Sequence, residues 1–419
     1  MPAERVLPAV RLRAARLGWT CLLAALLSGC ASGSGAEPIY QGSDAPGPSA
    51  STEPAAGISP SAAPADGTLA GTDPAGTDSA GTDPAGTDPA DGAPGAPASG
   101  PAALPAVTYA GDEVTGLGVP WSIAVLPDGT LLFSDRETGD IMRAAADGTS
   151  LVGTLPDAAE ASGEGGLLGL AVAGDFSDNP AVYAYYTSSG DNRVVRMSYE
   201  DNALGEPEEI LTGIPKGNIH NGGRIAFGPD SRLYIGTGDA GNGSNAQDPE
   251  SLGGKVLRLA PDGTVPTDNP TPGSPVYSRG HRNVQGLAWD SEERLWATEF
   301  GPEVDDELNL VVPGSNYGWP DVTGAPGRQG FVDAQVAWPS TATSSPSGMA
   351  IIDDTAYIGG LRGQRLWQVP LVGGQAGRPV SHFDGEFGRL RDVAEGSDGL
   401  LVVTNEGDGG ARILRATLD

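Results

Sequence analysis

Cysteine is nearly absent from this chain. Of 419 residues only Cys21 and Cys30 carry a thiol, and both stand near the start. Beyond residue 30, then, no disulfide, thiol nucleophile or cysteine metal site can be built. Positive charge is also scarce, with 24 Lys and Arg against 54 Asp and Glu and a formal net charge of −30. That balance disfavours nucleic acid as a partner, because phosphate binding needs clustered cations. It fits solubility and tolerance of calcium better. Histidine occurs only three times. Sustained helical periodicity is missing, and the body contains neither G-x-S-x-G nor H-E-x-x-H. The glycine clusters lack the strand-to-helix setting of a nucleotide site, so serine hydrolase, zincin and Rossmann readings are weak.

What is present divides the chain in three. Arg5, Arg11, Arg13 and Arg16 precede an apolar run at 17–27 that meets small residues, the pattern of a secretory signal and too short to span a bilayer comfortably. Leu27-Ser28-Gly29-Cys30 has the form of a bacterial lipoprotein cleavage box. We read 1–29 as a lipoprotein signal peptide and Cys30 as the lipid-modified first residue, the alternative being an ordinary secretory signal. Membrane contact would then run through that anchor alone, with the protein outside the cytoplasm. Residues 30–105 are Ala, Gly, Pro, Ser, Thr and Asp, with an AGTDP-type repeat over 70–89. Alanine-rich apolar content of this kind cannot repay backbone ordering, so the segment reads as a disordered tether.

The body, 106–419, repeats a turn followed by a short apolar strand. Six such units begin at Pro127, Ser177, Gly228, Asp290, Ile352 and Gly396. Their turn residues Asp128, Asn179, Asp230, Glu292, Asp354 and Asp398 lie 44 to 62 residues apart, which is blade spacing. One unit cannot bury its own faces, whereas about four strands per repeat around an axis can share a core. The expectation is an all-β, six-bladed β-propeller, with a two-sheet sandwich as the runner-up.

Propellers gather loops from every blade at one mouth, so function must be argued from loops. His220, at a loop-to-strand junction in IHNGGRIAF, is either a general base or a hydrogen-bonded structural histidine. Arg282, in GHRNVQG at 280–286, presents a rigid fork suited to a carboxylate or quinone oxygen. Arg389 and Arg391 alternate in GRLRDV as on one face of an extended segment, which suits an anion with several carboxylates, and Arg362 can join them. Asp305, Asp306 and Glu307, following Gly301-Pro302, supply hard oxygens suited to Ca²⁺ together with the backbone carbonyls of Gly301 and Pro302, unless they form only a solvated acidic turn.

These pieces are similar to a known family. VPWSIAVLPDG at 119–129, GEGGLLGLA at 163–171, HNGGR at 220–224, GTGDAG at 236–241, GHRNVQG at 280–286, EFGPEVDDELNLVVPGSNYGWP at 299–320 and GRLRDV at 388–393 resemble the soluble quinoprotein sugar dehydrogenases. These are six-bladed propellers that use pyrroloquinoline quinone (PQQ) and include aldose sugar and glucose/sorbosone dehydrogenases. The resemblance implies oxidation of an aldose to its lactone, with electrons passed to an external acceptor such as a quinone, cytochrome or dye. It implies His220 as the base, Asp239 supporting it, and Arg282 beside the reactive quinone carbonyl with Asn283 next to it. Arg362, Arg389 and Arg391 would hold the cofactor carboxylates, and Trp338 is a candidate stacking ring. The carbonyls of Gly301 and Pro302 would bind Ca²⁺, and Glu307 and Tyr317 a second, structural calcium. Glu164 stands next to the cofactor where the family often has glutamine, and Ile219 precedes the histidine where glucose-type relatives tend to be polar. The rival readings are a non-catalytic sugar- or protein-binding propeller lipoprotein and a calcium-dependent lactone hydrolase.

Overall fold

The structure, a computed structural model, describes residues 103–159, 162–405 and 410–419. The leader, Cys30 and the tether up to residue 102 lie outside the described residues. Among the described residues no helix is long and apolar enough to cross a membrane.

The strands form six antiparallel sheets of four or five strands each. Their first strands are Pro120–Val125, Leu167–Val172, Ile225–Phe227, Val284–Trp289, Pro346–Ile352 and Leu390–Gly396. These touch one another in that order around a closed ring, which defines a six-bladed propeller and removes the two-sheet alternative. We number the blades 1 to 6 in the same order. Each of the six turn-and-strand units is the hairpin that joins the first and second strands of a blade. The ring is closed by the chain ends: Val107–Leu117 pairs antiparallel with Ala411–Leu418 as the edge strand of blade 6. Ala106 and Asp419 exchange both backbone hydrogen bonds.

The second strands are apolar on both faces because each face meets a different blade. In Ala181–Thr187 of blade 2 every residue is buried. Val182, Ala184 and Tyr186 pack toward blade 1, while Ala181, Tyr183 and Tyr185 pack toward blade 3. Period-2 alternation thus sorts side chains between two cores, and the strand reads in sequence as an unbroken run. Six hydrophobic clusters result, one at each blade interface. Each fully buried Leu, Ile or Val in them stabilises the ring by roughly 1.5–3 kcal/mol.

This connectivity gives the propeller two unlike faces. The turns at Asp128, Asp230, Asp290, Asp354 and Asp398 lie at the ends of the first strands. The loops that enter the first strands and leave the second strands lie at the opposite end, and they carry Glu164, His220, Asp239, Arg282, Gly301, Arg362 and Arg389.

Candidate active site

His220 sits just before the first strand of blade 3, in left-handed backbone (φ 57°), as does Ala240 (φ 58°) in the neighbouring loop. For non-glycine residues this conformation costs about 1–2 kcal/mol each, so the surroundings must fix it. Three contacts do so. Ala240 N–H donates to the His220 carbonyl at 3.0 Å, His220 N–H donates to Glu164 Oε2 at 2.7 Å, and a Cβ at Gly238 would collide with the His220 carbonyl, so only glycine fits beneath it.

The side chain is only 11% exposed. Its Nδ1 lies 2.7 Å from Asp239 Oδ1, which also accepts from Gly241 N–H at 2.7 Å. Asp239 Oδ2 accepts from Trp319 Nε1 at 2.7 Å. Burial pushes the Asp239 carboxyl up, but the hydrogen bond and charge of His220 and the Gly241 and Trp319 donors outweigh it and hold the group below its ordinary range. An ionised, acceptor-only Asp239 requires the proton on Nδ1 and leaves Nε2 as the basic nitrogen. His220 lines a cavity of about 250 Å³ together with Glu164, Arg282, Gly301, Arg362 and Arg389.

The far wall of that cavity is cationic. A second pocket of about 120 Å³ shares Glu164, Phe300, Leu361 and Arg389 with it and adds Trp121, Arg136 and Arg391. Arg391 is buried beside the Trp121 ring, 5.5 Å from its centroid, with Nε on Asn405 at 3.0 Å and Nη1 on Gln285 at 3.1 Å. Burial first, then repulsion from Arg389, Arg136 and Arg224, lowers its pKa. Arg282 donates to Phe300 O at 3.1 Å and lies over the Trp319 ring at 5.4 Å. Burial lowers its pKa too, against attraction from Asp239, Glu299 and Glu164. The Nε atoms of Arg136 and Arg282 are buried without a partner. Guanidiniums that repel one another and retain unused donors inside an acidic protein define an anion site.

On the third side, Gly301 and Pro302 line the larger cavity with Asp306. Asp306 accepts from Gly301 N–H at 2.9 Å and from Ser345 N–H at 2.7 Å. Burial nevertheless drives its carboxyl up to about 6. A Cβ on Gly301 would strike the Val304 carbonyl, so the turn that exposes Pro302 requires glycine. Glu307 and Tyr317 stand behind this wall, beside a small cavity that they share with Arg282 and Glu299. The Glu307 carboxylate accepts from Gly324 N–H at 2.6 Å and Asn309 Nδ2 at 2.9 Å, and burial with repulsion from Glu299 raises its pKa. The Tyr317 hydroxyl donates to Leu310 O at 2.6 Å.

Two predicted residues lie elsewhere. Trp338 is buried in the core between blades 4 and 5, its ring 5.6 Å from that of Trp367, and is absent from the cavity wall. The stacking role is corrected accordingly, because Trp338 ends the outer strand Val336–Trp338, a sheet's width from the axis. Asn283 is buried beneath the base loop, where its Oδ1 accepts from Gly222 N–H at 2.9 Å. Sequence reasoning missed Arg136, Trp121 and Trp319. Arg136 follows a second strand with no motif around it, whereas Trp121 and Trp319 stood in plain view inside VPWSIAV and NYGWP. His281 of GHRN is structural, fully buried between Ser278 Oγ and Glu299 Oε2 at 2.8 Å each. Among the described residues no three His, Cys, Asp or Glu side chains converge as a metal cage. The side-chain carboxylate cluster that a calcium-dependent lactone hydrolase needs is therefore missing there.

Fold and site together define a propeller enzyme in which a His-Asp pair faces an arginine-lined anion cavity. The comparisons make that class specific. The sequence matches the family model described as Glucose / Sorbosone dehydrogenase over residues 117–415, and the chain belongs to that family of oxidoreductases. It is 48% identical to the PQQ-bound aldose sugar dehydrogenase of Streptomyces coelicolor, whose structure superposes with a TM-score of 0.73 over 76% of this chain and 100% of that one. It is 30% identical to the aldose sugar dehydrogenase YliI of Escherichia coli over 69% of this chain and 88% of that protein. With quinoprotein glucose dehydrogenase B of Acinetobacter calcoaceticus it shares 34% identity over 53% of this chain and 54% of the relative.

Proposed function

We propose that this protein is a PQQ-dependent aldose sugar dehydrogenase that oxidises the anomeric carbon to the lactone and passes two electrons to an external acceptor. The observation that carries the proposal is the cluster of Arg136, Arg282, Arg389 and Arg391 opposite His220, in which the buried Nε donors of Arg136 and Arg282 are still unused. A rigid polycarboxylate quinone fits those donors. Arg136, Arg362, Arg389 and Arg391 would hold its carboxylates and Arg282 its reactive carbonyl. The Gly301 and Pro302 carbonyls, backed by the Asp306 carboxylate, form a hard-oxygen donor set suited to Ca²⁺. When bound, this pair supplies a polarised two-electron acceptor for the hydride that leaves the anomeric carbon.

The chain's own residues do the rest. His220 Nε2 takes the proton of the anomeric hydroxyl, a contribution typically of about 10²–10⁴-fold. Asp239 fixes the tautomer and stabilises the imidazolium that forms. Arg282, half enclosed by Trp319 and Phe300, meets negative charge developing at the cavity wall. Glu307 and Tyr317 belong to a second, structural calcium site behind this wall.

The folded domain spans 106–419 and is held outside the cytoplasm by a tether from a lipid-modified Cys30, a reading supported by the basic and apolar leader. Mass spectrometry of the mature N-terminus tests it. For the activity, purified protein titrated with PQQ and Ca²⁺ should develop a bound-cofactor spectrum that an aldose bleaches. His220→Ala should keep the spectrum and lose the bleaching. Absence of any bound spectrum would remove the enzyme reading, and unchanged turnover in the variant would remove the base.

A further inference from the structure

Lys255 is a buried charge near the site that lines neither of its two cavities. It is fully buried in Lys255–Leu259, the third strand of blade 3. Its Nζ donates to three carbonyls, Asn245 O at 2.6 Å, Gly253 O at 2.8 Å and Ala246 O at 3.2 Å. All three ammonium donors are used, and every acceptor is backbone. Burial lowers the group to about 8, opposed by Asp248 and reinforced by Arg279, so it is still charged at neutral pH. Burying an ammonium without a carboxylate costs several kcal/mol, and a Leu or Met would fill the same core space without that penalty. Filling space therefore does not explain the residue. Gathering the carbonyls of one loop around a cation does.

That loop, 239–254, begins at the partner of the base. Its short helix Ser244–Gln247 points two side chains back toward the site. Asn245 Nδ2 donates to Asp239 O at 2.9 Å. Gln247 Nε2 donates to Trp319 O at 2.6 Å, and Trp319 Nε1 in turn holds Asp239 Oδ2. The loop end is tied in as well, because His281 N–H, next to Arg282, donates to Gly254 O at 3.2 Å.

We infer that Lys255 is a positioning residue for the base: its ammonium acts as an internal cation that clamps the Asp239 loop and, through Asn245 and Gln247, fixes the Asp239 backbone and the Trp319 ring that holds the Asp239 carboxylate against His220. The inference rests on His220 and Asp239 being the catalytic pair. Displacing that pair by even an ångström costs on the order of 100-fold in turnover.

The test uses Lys255→Met, which keeps the length and loses the donors, beside the double variant Asn245→Ala/Gln247→Ala, which keeps the clamp and removes its two relays. Both should bind PQQ and Ca²⁺ with wild-type affinity by spectral titration and show an unchanged KM for the aldose. In both, kcat should fall on the order of 100-fold while KM and cofactor affinity stay at wild-type values, a split that general destabilisation would not produce. Should Lys255→Met not fold, the double variant alone carries the decision. Wild-type kcat in the double variant would overturn the clamp while leaving the His220 assignment intact. Full activity in His220→Ala would instead overturn the assignment on which the clamp rests.

Discussion

On the turn face of the propeller, aspartates satisfy the hairpins that carry them. Asp128 accepts from Thr130 N–H two residues on. Asp230 accepts from Arg232 N–H and Tyr234 Oη, and Asp290 from Glu292 N–H, Arg294 N–H and Trp296 Nε1 within six residues. On the site face the same chemistry is non-local. Asp239 meets His220 across 19 residues, Asp306 meets Ser345 across 39, and Glu164 meets His220 across 56. The difference also shows in the cavities. The turn-face funnel is lined by apolar first-strand residues and floored by Arg224 and Asp392, paired at 2.7 Å. The site-face cavities gather several guanidiniums, with the Nε atoms of Arg136 and Arg282 unpartnered, whereas the one guanidinium of the turn-face funnel has only Nη2 unpartnered and is neutralised by Asp392. One face is finished largely within each blade, an exception being Asp354, which accepts from Ser291 N–H and Oγ of the preceding blade; the other is completed only when six blades meet and a ligand arrives.

A pair of substitutions separates the two faces most sharply. Asp239→Asn removes the acceptor that sets the His220 tautomer, and kcat should fall by about 10²–10⁴-fold. Its melting temperature should fall less than that of Asp290→Ala, because the amide oxygen still accepts from one of the two donors, Gly241 N–H or Trp319 Nε1, which now sit on different carboxylate oxygens. Asp290→Ala should do the reverse. It strands the buried Trp296 Nε1 and leaves the Arg294 guanidinium only Glu292 as an ion-pair partner, where the two now lie 2.8 and 2.7 Å from the Asp290 carboxylate, and should cost about 1–3 kcal/mol in chemical denaturation with kcat intact. Equal losses of activity and stability in both variants would erase the contrast.

The same difference decides what could be read from the sequence. Local turn chemistry leaves a fixed spacing, so six hairpins and hence six blades were legible from Asp128, Asp230 and their counterparts. His220, Asp239, Arg282, Gly301-Pro302 and Arg389 were legible because each lies inside a short motif at a strand end. Arg136 has no motif, since its place at the cavity follows only from the closure of the ring. Trp338 misled because an aromatic beside a proline looks alike whether it sits at the axis or, as here, in an outer strand. Lys255 gave no signal because its partners are carbonyls, which every residue has.

A subtler break between the faces lies in pH. Burial holds the Asp306 carboxyl at about 6, above the ordinary value of about 3.9 for an unfolded chain. Between those values the folded state binds more protons, so this group makes the calcium-free protein lose stability as pH rises from about 4 to 6. The loss levels off above the folded value, at no more than about 3 kcal/mol. Turn-face carboxylates such as Asp128, held low by the Thr130 backbone donor, act in the opposite sense as pH falls. The effect should therefore be read as the difference between wild type and Asp306→Asn in melts across pH 4–7. Added Ca²⁺ should stabilise the wild type increasingly above pH 6 and Asp306→Asn much less. A calcium increment that does not change with pH would remove Asp306 from the cation's surroundings.

The smallest expected effect falls on Glu164, where a carboxylate stands on the cofactor side of the cavity. One oxygen, Oε2, is taken up by His220 N–H at 2.7 Å, and the charge attracts Arg282 and Arg391. Glu164 is therefore a clamp on the base loop as well as a charge. An amide oxygen can accept the same hydrogen bond, so Glu164→Gln should keep the left-handed His220 and hold kcat within about threefold, under 1 kcal/mol of barrier. The lost charge acts on the anion site instead, and affinity for PQQ should rise by up to about tenfold, the worth of roughly 1.4 kcal/mol. Glu164→Ala loses both functions, and kcat should fall well below that of the glutamine variant. If glutamine and alanine behave alike, the backbone clamp contributes nothing, and the non-local hydrogen bonds of the site face are less consequential than their reach across the chain implies.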